Sequence, residues 1–133
     1  MGVHRGTYLV AAVSAVLTVA AGLGVRSVGS GDGAKYAGDA LYTVLILTLV
    51  VLVVPRVRPS AAALVAFAVS CGVELLQLTG WPGELAARSV VARLVLGSTF
   101  NGPDLFWYGV GAVAGWGVHA ALARRGGRQL ARE

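Results

Sequence analysis

The chain has 133 residues, of which 56% are hydrophobic and 13% charged, with a net charge of +5. A mean hydropathy of +0.75 excludes an ordinary water-soluble domain, and the length leaves room for one helical bundle and no separate soluble domain. A single cysteine, Cys71, excludes an intramolecular disulfide and a cysteine-based metal cluster.

Four apolar stretches occupy residues 8–25, 37–54, 61–78 and 104–122, each close to the roughly 20 residues a helix needs to cross a bilayer core. They are continuous rather than alternating, unlike the strands of a membrane barrel. Helices satisfy their own backbone groups in lipid. The sequence therefore predicts an all-α integral membrane bundle of four transmembrane helices in a single domain, 1–133.

The first stretch follows His4 and Arg5. It exceeds the apolar part of a signal peptide, and Gly22-Leu23-Gly24 is a poor cleavage site, so it reads as a retained first helix. Residues 26–36, RSVGSGDGAKY, read as a flexible polar loop carrying Asp32 and Lys35. After the second span, Pro55 and Pro59 bracket a tight turn into the third.

The segment 79–103 is long for so small a protein. Within it, 83–96 reads as a short interfacial helix. Glu84 and Arg88 stand four apart there, and Leu85, Val91, Leu94 and Val95 supply apolar surface. Trp81, Phe100, Trp107 and Tyr108 fall at the same face, as in an aromatic belt. The last span carries Gly109, Gly111, Gly115 and Gly117. Gly111 and Gly115 form a GxxxG pair suited to close packing within the chain, or to a homo-oligomer or membrane partner. Residues 123–133 read as a solvated basic tail.

With four spans, Arg5, Arg56, Arg58, Arg124, Arg125, Arg128 and Arg132 share one side, and Arg26, Lys35, Arg88 and Arg93 the other. The excess predicts both termini in the cytoplasm and the chain in the plasma membrane. The basic residues then act as topology determinants and contacts for membrane lipids. No nucleic-acid motif accompanies them.

A charged group inside a span costs about 2.5–3.5 kcal/mol on insertion scales, so it needs a partner, water or a job. Glu74 and Gln77 are three apart in the third span, Asp39 and Tyr42 three apart in the second, and Asp104 and Tyr108 four apart in the fourth. Because these helices run antiparallel, all three pairs fall at one membrane face. They predict an outward-facing polar cleft with Lys35, Asp39, Tyr42, Glu74, Gln77, Arg88, Asp104 and Tyr108 as ligand-binding residues and Arg88 or Lys35 as counter-charge. Asp39 and Asp104 stand at expected helix starts, where capping is an alternative explanation. Glu74, in the C-terminal half of its helix, has no such explanation. Glu74 and Asp104 are the catalytic candidates, since burial can tune a carboxyl for acid–base work. The sequence has no HExxH, GxSxG or Walker loop. His4 and His119 lie at the opposite side, so neither metal nor cofactor is implied.

The strings GAKYAGDALY (33–42), ELLQL (74–78) and LGSTFNGPDLFWYGVG (96–111) resemble the small membrane proteins of domain of unknown function 2809, which is similar in layout to the VanZ-like family. The resemblance runs over nearly the whole chain with its motifs in order. It singles out Lys35, Gly38, Asp39, Tyr42, Glu74, Gln77, Arg88, Gly97, Phe100, Asp104, Tyr108 and Gly111. VanZ-like proteins share an E-x-x-Q helix followed by a later Asp and Gly, and have been linked to resistance to glycopeptide antibiotics such as teicoplanin. Here Trp107-Tyr108 stands where their Asp is followed by Asn. The resemblance implies a protein of envelope homeostasis or antibiotic tolerance that binds a lipid-linked or envelope-active ligand. Two alternatives remain at this point: a membrane enzyme using Glu74 on a lipid or isoprenoid substrate, and an accessory subunit of a membrane complex.

Overall fold

The structure, a computed structural model, describes residues 2–29, 31–96 and 101–132. Among these there is no strand. Helices α1 (Gly2–Val28), α2 (Asp32–Val53), α3 (Pro59–Leu76), α4 (Trp81–Arg88), α5 (Val90–Leu96) and α6 (Gly102–Arg132) follow in order, with a 3-10 turn at Gln77–Thr79 between α3 and α4. Segments of α1, α2, α3 and α6 are long and apolar enough to cross a membrane, so the fold is the expected all-α bundle of four membrane-span helices.

Helix α2 is central. It packs against α1, α3 and α6, while α3 also packs against α6. Helix α1 leans mainly on α2 and turns a largely exposed apolar surface outward, burying Ala11 and Ala15. The inward stripes of α2 and α3 repeat every four residues, as a helix face requires. On α2 the stripe runs Asp39, Thr43, Leu47, Val51, and on α3 it runs Ala62, Ala66, Ser70, Glu74. At the Leu47 and Val51 end, Ala11, Ala62 and Ala66 complete an apolar core.

Helix α6 approaches α2 through glycine. A Cβ on Gly111 would strike the Ala40 carbonyl oxygen and come within 3.0 Å of its Cα, and one on Gly115 would meet Leu47 at 2.9 Å. Gly111 and Gly115 are thus used within the chain, against α2. Such contact draws on dispersion between closely approached backbones, because lipid offers no hydrophobic driving force between helices.

Several boundaries differ from the sequence reading. The expected loop 26–36 is almost entirely helical. The break between α1 and α2 is confined to the residues around Gly31, whose φ of 92° is a conformation glycine adopts without penalty. The expected interfacial helix is two pieces, since Ser89 is extended (φ −145°, ψ 126°) and breaks it into α4 and α5. Its Glu84–Arg88 spacing yields no ion pair among the described residues. The expected basic tail is a continuation of α6 as far as Arg132.

Candidate functional site

The start of α2, the end of α3 and the start of α6 meet at one end of the bundle. Helix α3 brings Glu74, which is 1% exposed, and α6 brings Asp104 and Tyr108, each 5% exposed. Helix α2 brings Asp39, 8% exposed, and Lys35 one turn before it.

Glu74 is fully engaged. Its Oε1 accepts the Asn101 backbone N–H at 2.6 Å, and its Oε2 accepts the Tyr108 hydroxyl at 2.9 Å. Asn101 immediately precedes α6, where free N–H groups and the positive end of the helix dipole favour an anion. A carboxylate from α3 therefore caps α6 across the bundle and clasps the two helices.

Asp104 lies in the first turn of α6. Its Oδ1 accepts from the Lys35 ammonium and, at 3.2 Å, from the Asn101 side-chain amide. Asp39 is different. It sits two turns inside α2, so it caps nothing. Its Oδ2 is 3.8 Å from Lys35 Nζ, is shut off from solvent and has no hydrogen-bond partner among the described residues.

Three acids thus surround one lysine. If all are ionised the cluster holds two negative charges in excess, and the dipole of α6 offsets only about half a charge. Lys35 is the most exposed of the four charged residues, with 44% of its side chain exposed against 11% for Asp39 and 7% for Asp104. Its ammonium stands 5.7 Å from the centre of the Tyr36 ring. Tyr36 stacks on Trp107 at 5.1 Å, and Trp107 meets Phe106 edge-on at 5.3 Å.

The other predicted site residues fall in different places. Tyr42 is half-buried and tilts against Tyr108 at 6.0 Å. Gln77 ties the turn after α3 to the end of α5, donating to the Leu96 carbonyl at 2.5 Å, while its Oε1 is buried without a partner. Arg88 is exposed at the end of α4 and pairs with none of the acids, so the counter-charge is Lys35. Arg93 donates to the Ala86 carbonyl at 2.9 Å, closing the end of α4. Gly97 and Phe100 lie outside the described residues.

The acids do not line an open cleft. Glu74 and Asp104 are held by donors of this chain, and Asp39 Oδ2 alone among the acids' buried oxygens is left without a hydrogen bond among the described residues. Two cavities lie elsewhere, one of about 360 Å³ between α1, α2 and α6 and one of about 430 Å³ between α3 and α6, both lined mainly by apolar residues. His119 borders the first, far from the acids.

Sequence reasoning missed Asn101, Thr43 and Ser70. Asn101 precedes Gly102-Pro103, a recognisable helix start. Thr43 and Ser70 lie one turn below Asp39 and Glu74 on the same faces, and their hydroxyls bond each other at 2.9 Å. A further signal is compositional: Lys35 is the only lysine in a chain whose other strong bases are all arginine.

The family described as protein of unknown function (DUF2809) matches residues 31–112. The chain belongs to this family. The matched segment holds every residue of the cluster and omits α1 and the distal part of α6. No curated protein and no solved structure matches the chain.

Proposed function

We propose that this DUF2809 protein is a multi-pass membrane protein that binds the polar head of a lipid-linked or envelope-active amphiphile at the Lys35–Asp39–Asp104 cluster. The observation that carries this reading is Asp39. Its Oδ2 is buried and without a hydrogen bond, a condition that normally costs about 1–3 kcal/mol and that a ligand would relieve. The acids belong to three different helices at one end of the bundle, and Lys35 is the charged residue there whose side chain is most open to solvent. Within the plasma membrane, with both termini cytoplasmic, this end faces outward, where envelope ligands reside. The resemblance of the chain's E-x-x-Q helix and later Asp and Gly to VanZ-like proteins is what suggests a role in envelope homeostasis or antibiotic tolerance.

The geometry favours binding over acid–base chemistry on Glu74, because both its oxygens are held by donors of this chain. It gives the accessory-subunit reading little support through Gly111 and Gly115, whose faces are filled by α2.

Native mass spectrometry of the protein carried from its own membrane into nanodiscs tests the reading. Wild type is expected to retain a bound amphiphile that Asp39→Asn loses while keeping its helical circular dichroism. A wild-type protein without any bound species, or a species retained by a folded Asp39→Asn protein, overturns it.

A further inference from the structure

The position of the Lys35 ammonium has the composition of an ammonium receptor. Two carboxylates face it, and the Tyr36 ring stands beside it with Trp107 stacked behind. Carboxylates and an aromatic face together recognise ammonium groups through charge-assisted hydrogen bonds and cation–π attraction.

Lys35 fills this receptor incompletely. It hydrogen-bonds Asp104 but stands 3.8 Å from Asp39 Oδ2. That oxygen, on a residue 8% exposed, has no hydrogen bond and is aimed at the ammonium position. Lys35 is also tethered loosely. It lies in the first turn of α2 with nearly half its side chain exposed, so its flexible stem can swing to water without moving the helix. Asp39 and Asp104, buried between packed helices, cannot follow.

The surroundings choose among cations. Among the described residues no group of acids, histidines and cysteines is arranged to hold a metal ion. Phe106, next to the Tyr36–Trp107 stack, is 67% exposed and gives a hydrocarbon chain a surface beside the site. An amphiphile fits these features better than a small water-soluble amine.

We propose that Asp39 and Asp104 form a receptor for the ammonium head of a cationic or amino-bearing amphiphile, with Lys35 occupying it as a tethered competitor. The proposal rests on the binding role given to this cluster above and assigns that role a ligand chemistry.

The test uses n-octylammonium as probe and n-octanol as its uncharged control, on purified full-length protein in nanodiscs. Three results are expected. Octylammonium binds wild type and octanol does not. Lys35→Met binds it about tenfold more tightly, the factor for a site that a competitor fills nine-tenths of the time. Asp39→Asn loses binding. If Asp39→Asn fails to fold, the wild-type protein still decides: octylammonium, and not octanol, should raise acylation of Lys35 several-fold, with the amine-reactive reagent held in large excess over the probe that it also acylates, read on the single lysine peptide.

Weaker binding to Lys35→Met would make Lys35 a ligand contact and overturn the competitor role. Equal responses to octanol and octylammonium would overturn the ammonium receptor. Should the endogenous species lost by Asp39→Asn prove neutral or anionic, the ammonium assignment fails while the cluster stands as a binding site. A shared proton as the only occupant, with no probe bound to any variant, overturns the proposal.

Discussion

The two halves of the bundle are built on the same interior stripes but differ in what holds them. Toward the start of α2, the stripes present Asp39 and Glu74, and α6 adds Asp104 and Tyr108. Toward the opposite end, the same stripes present Leu47, Val51, Ala62 and Ala66. Thr43 and Ser70 mark the boundary, where the last polar pair bonds across the interface. Close approach draws α6 onto α2 through dispersion in both halves, at Gly111–Ala40 beside Asp39 and at Gly115–Leu47 further along, and in the apolar half packing is all that the interior stripes supply. In the polar half, hydrogen bonds and charge also fix which atoms meet. The change teaches where specificity resides: small residues let helices touch, and the acid–hydroxyl–amide network sets their register. It also speaks against conduction through a single chain, since beyond Thr43 and Ser70 the stripes close on Leu47, Val51, Ala62 and Ala66.

The largest test of this division is steric. Gly111→Val places carbon into the Ala40 backbone, which cannot yield, and should destabilise the protein by more than about 3 kcal/mol or prevent recovery of monodisperse material. Gly117→Val, with open space around it, should melt as wild type does. Thermal denaturation of both in detergent provides the comparison. A tolerated Gly111→Val would remove close approach as the basis of α2–α6 packing.

Next in size is the difference between two acids. Glu74→Leu leaves the Asn101 N–H and the Tyr108 hydroxyl without their acceptor, an expected loss of about 3 kcal/mol. Asp39→Asn removes a charge from an over-acidic cluster and breaks no hydrogen bond, so it should stay within about 1 kcal/mol of wild type. Chemical denaturation in mixed micelles measures both. Equal losses would mean that Asp39 is a structural acid like Glu74, and would weaken its role as the ligand-facing one.

The smallest effect belongs to the boundary pair. A double-mutant cycle with Thr43→Val and Ser70→Ala should give a coupling of about 0.6 kcal/mol, typical for a hydrogen bond between membrane helices. No measurable coupling would shift the division between the halves by one helical turn, leaving Asp39 and Glu74 as the innermost polar contacts.

Much of this architecture is legible in the sequence, because span length and continuous apolarity dictate four membrane helices and antiparallel order places their acids together. Lys35 shows what was not legible. The glycines and serines of 26–36 carry strong loop signals, yet α2 begins at Asp32. Packing against α1 and α6 overrides local propensity there. That extra turn converts Lys35 from a loop charge to a helix-face residue four positions before Asp39. Arg88 is the converse case. Its place in the segment adjoining the acids suggests a counter-charge, but the break at Ser89 ends α4 at Arg88, in solvent. Glu74 lies in the C-terminal half of its own helix, where no cap explains it. That it caps a different helix depends on tertiary contact with Asn101, which helix periodicity does not encode.

Helix α6 spans 31 residues, a rod of about 46 Å at 1.5 Å per residue, against a hydrocarbon core of about 30 Å. The helix is therefore about 16 Å longer than such a core is thick, and the excess length is the part that carries Arg124, Arg125, Arg128 and Arg132. Gly126 and Gly127 fall there, each weakening a helix by about 1 kcal/mol relative to alanine. The helix nevertheless runs through both to Arg132, so its weakest turn lies among the arginines and away from the packed interface with α2.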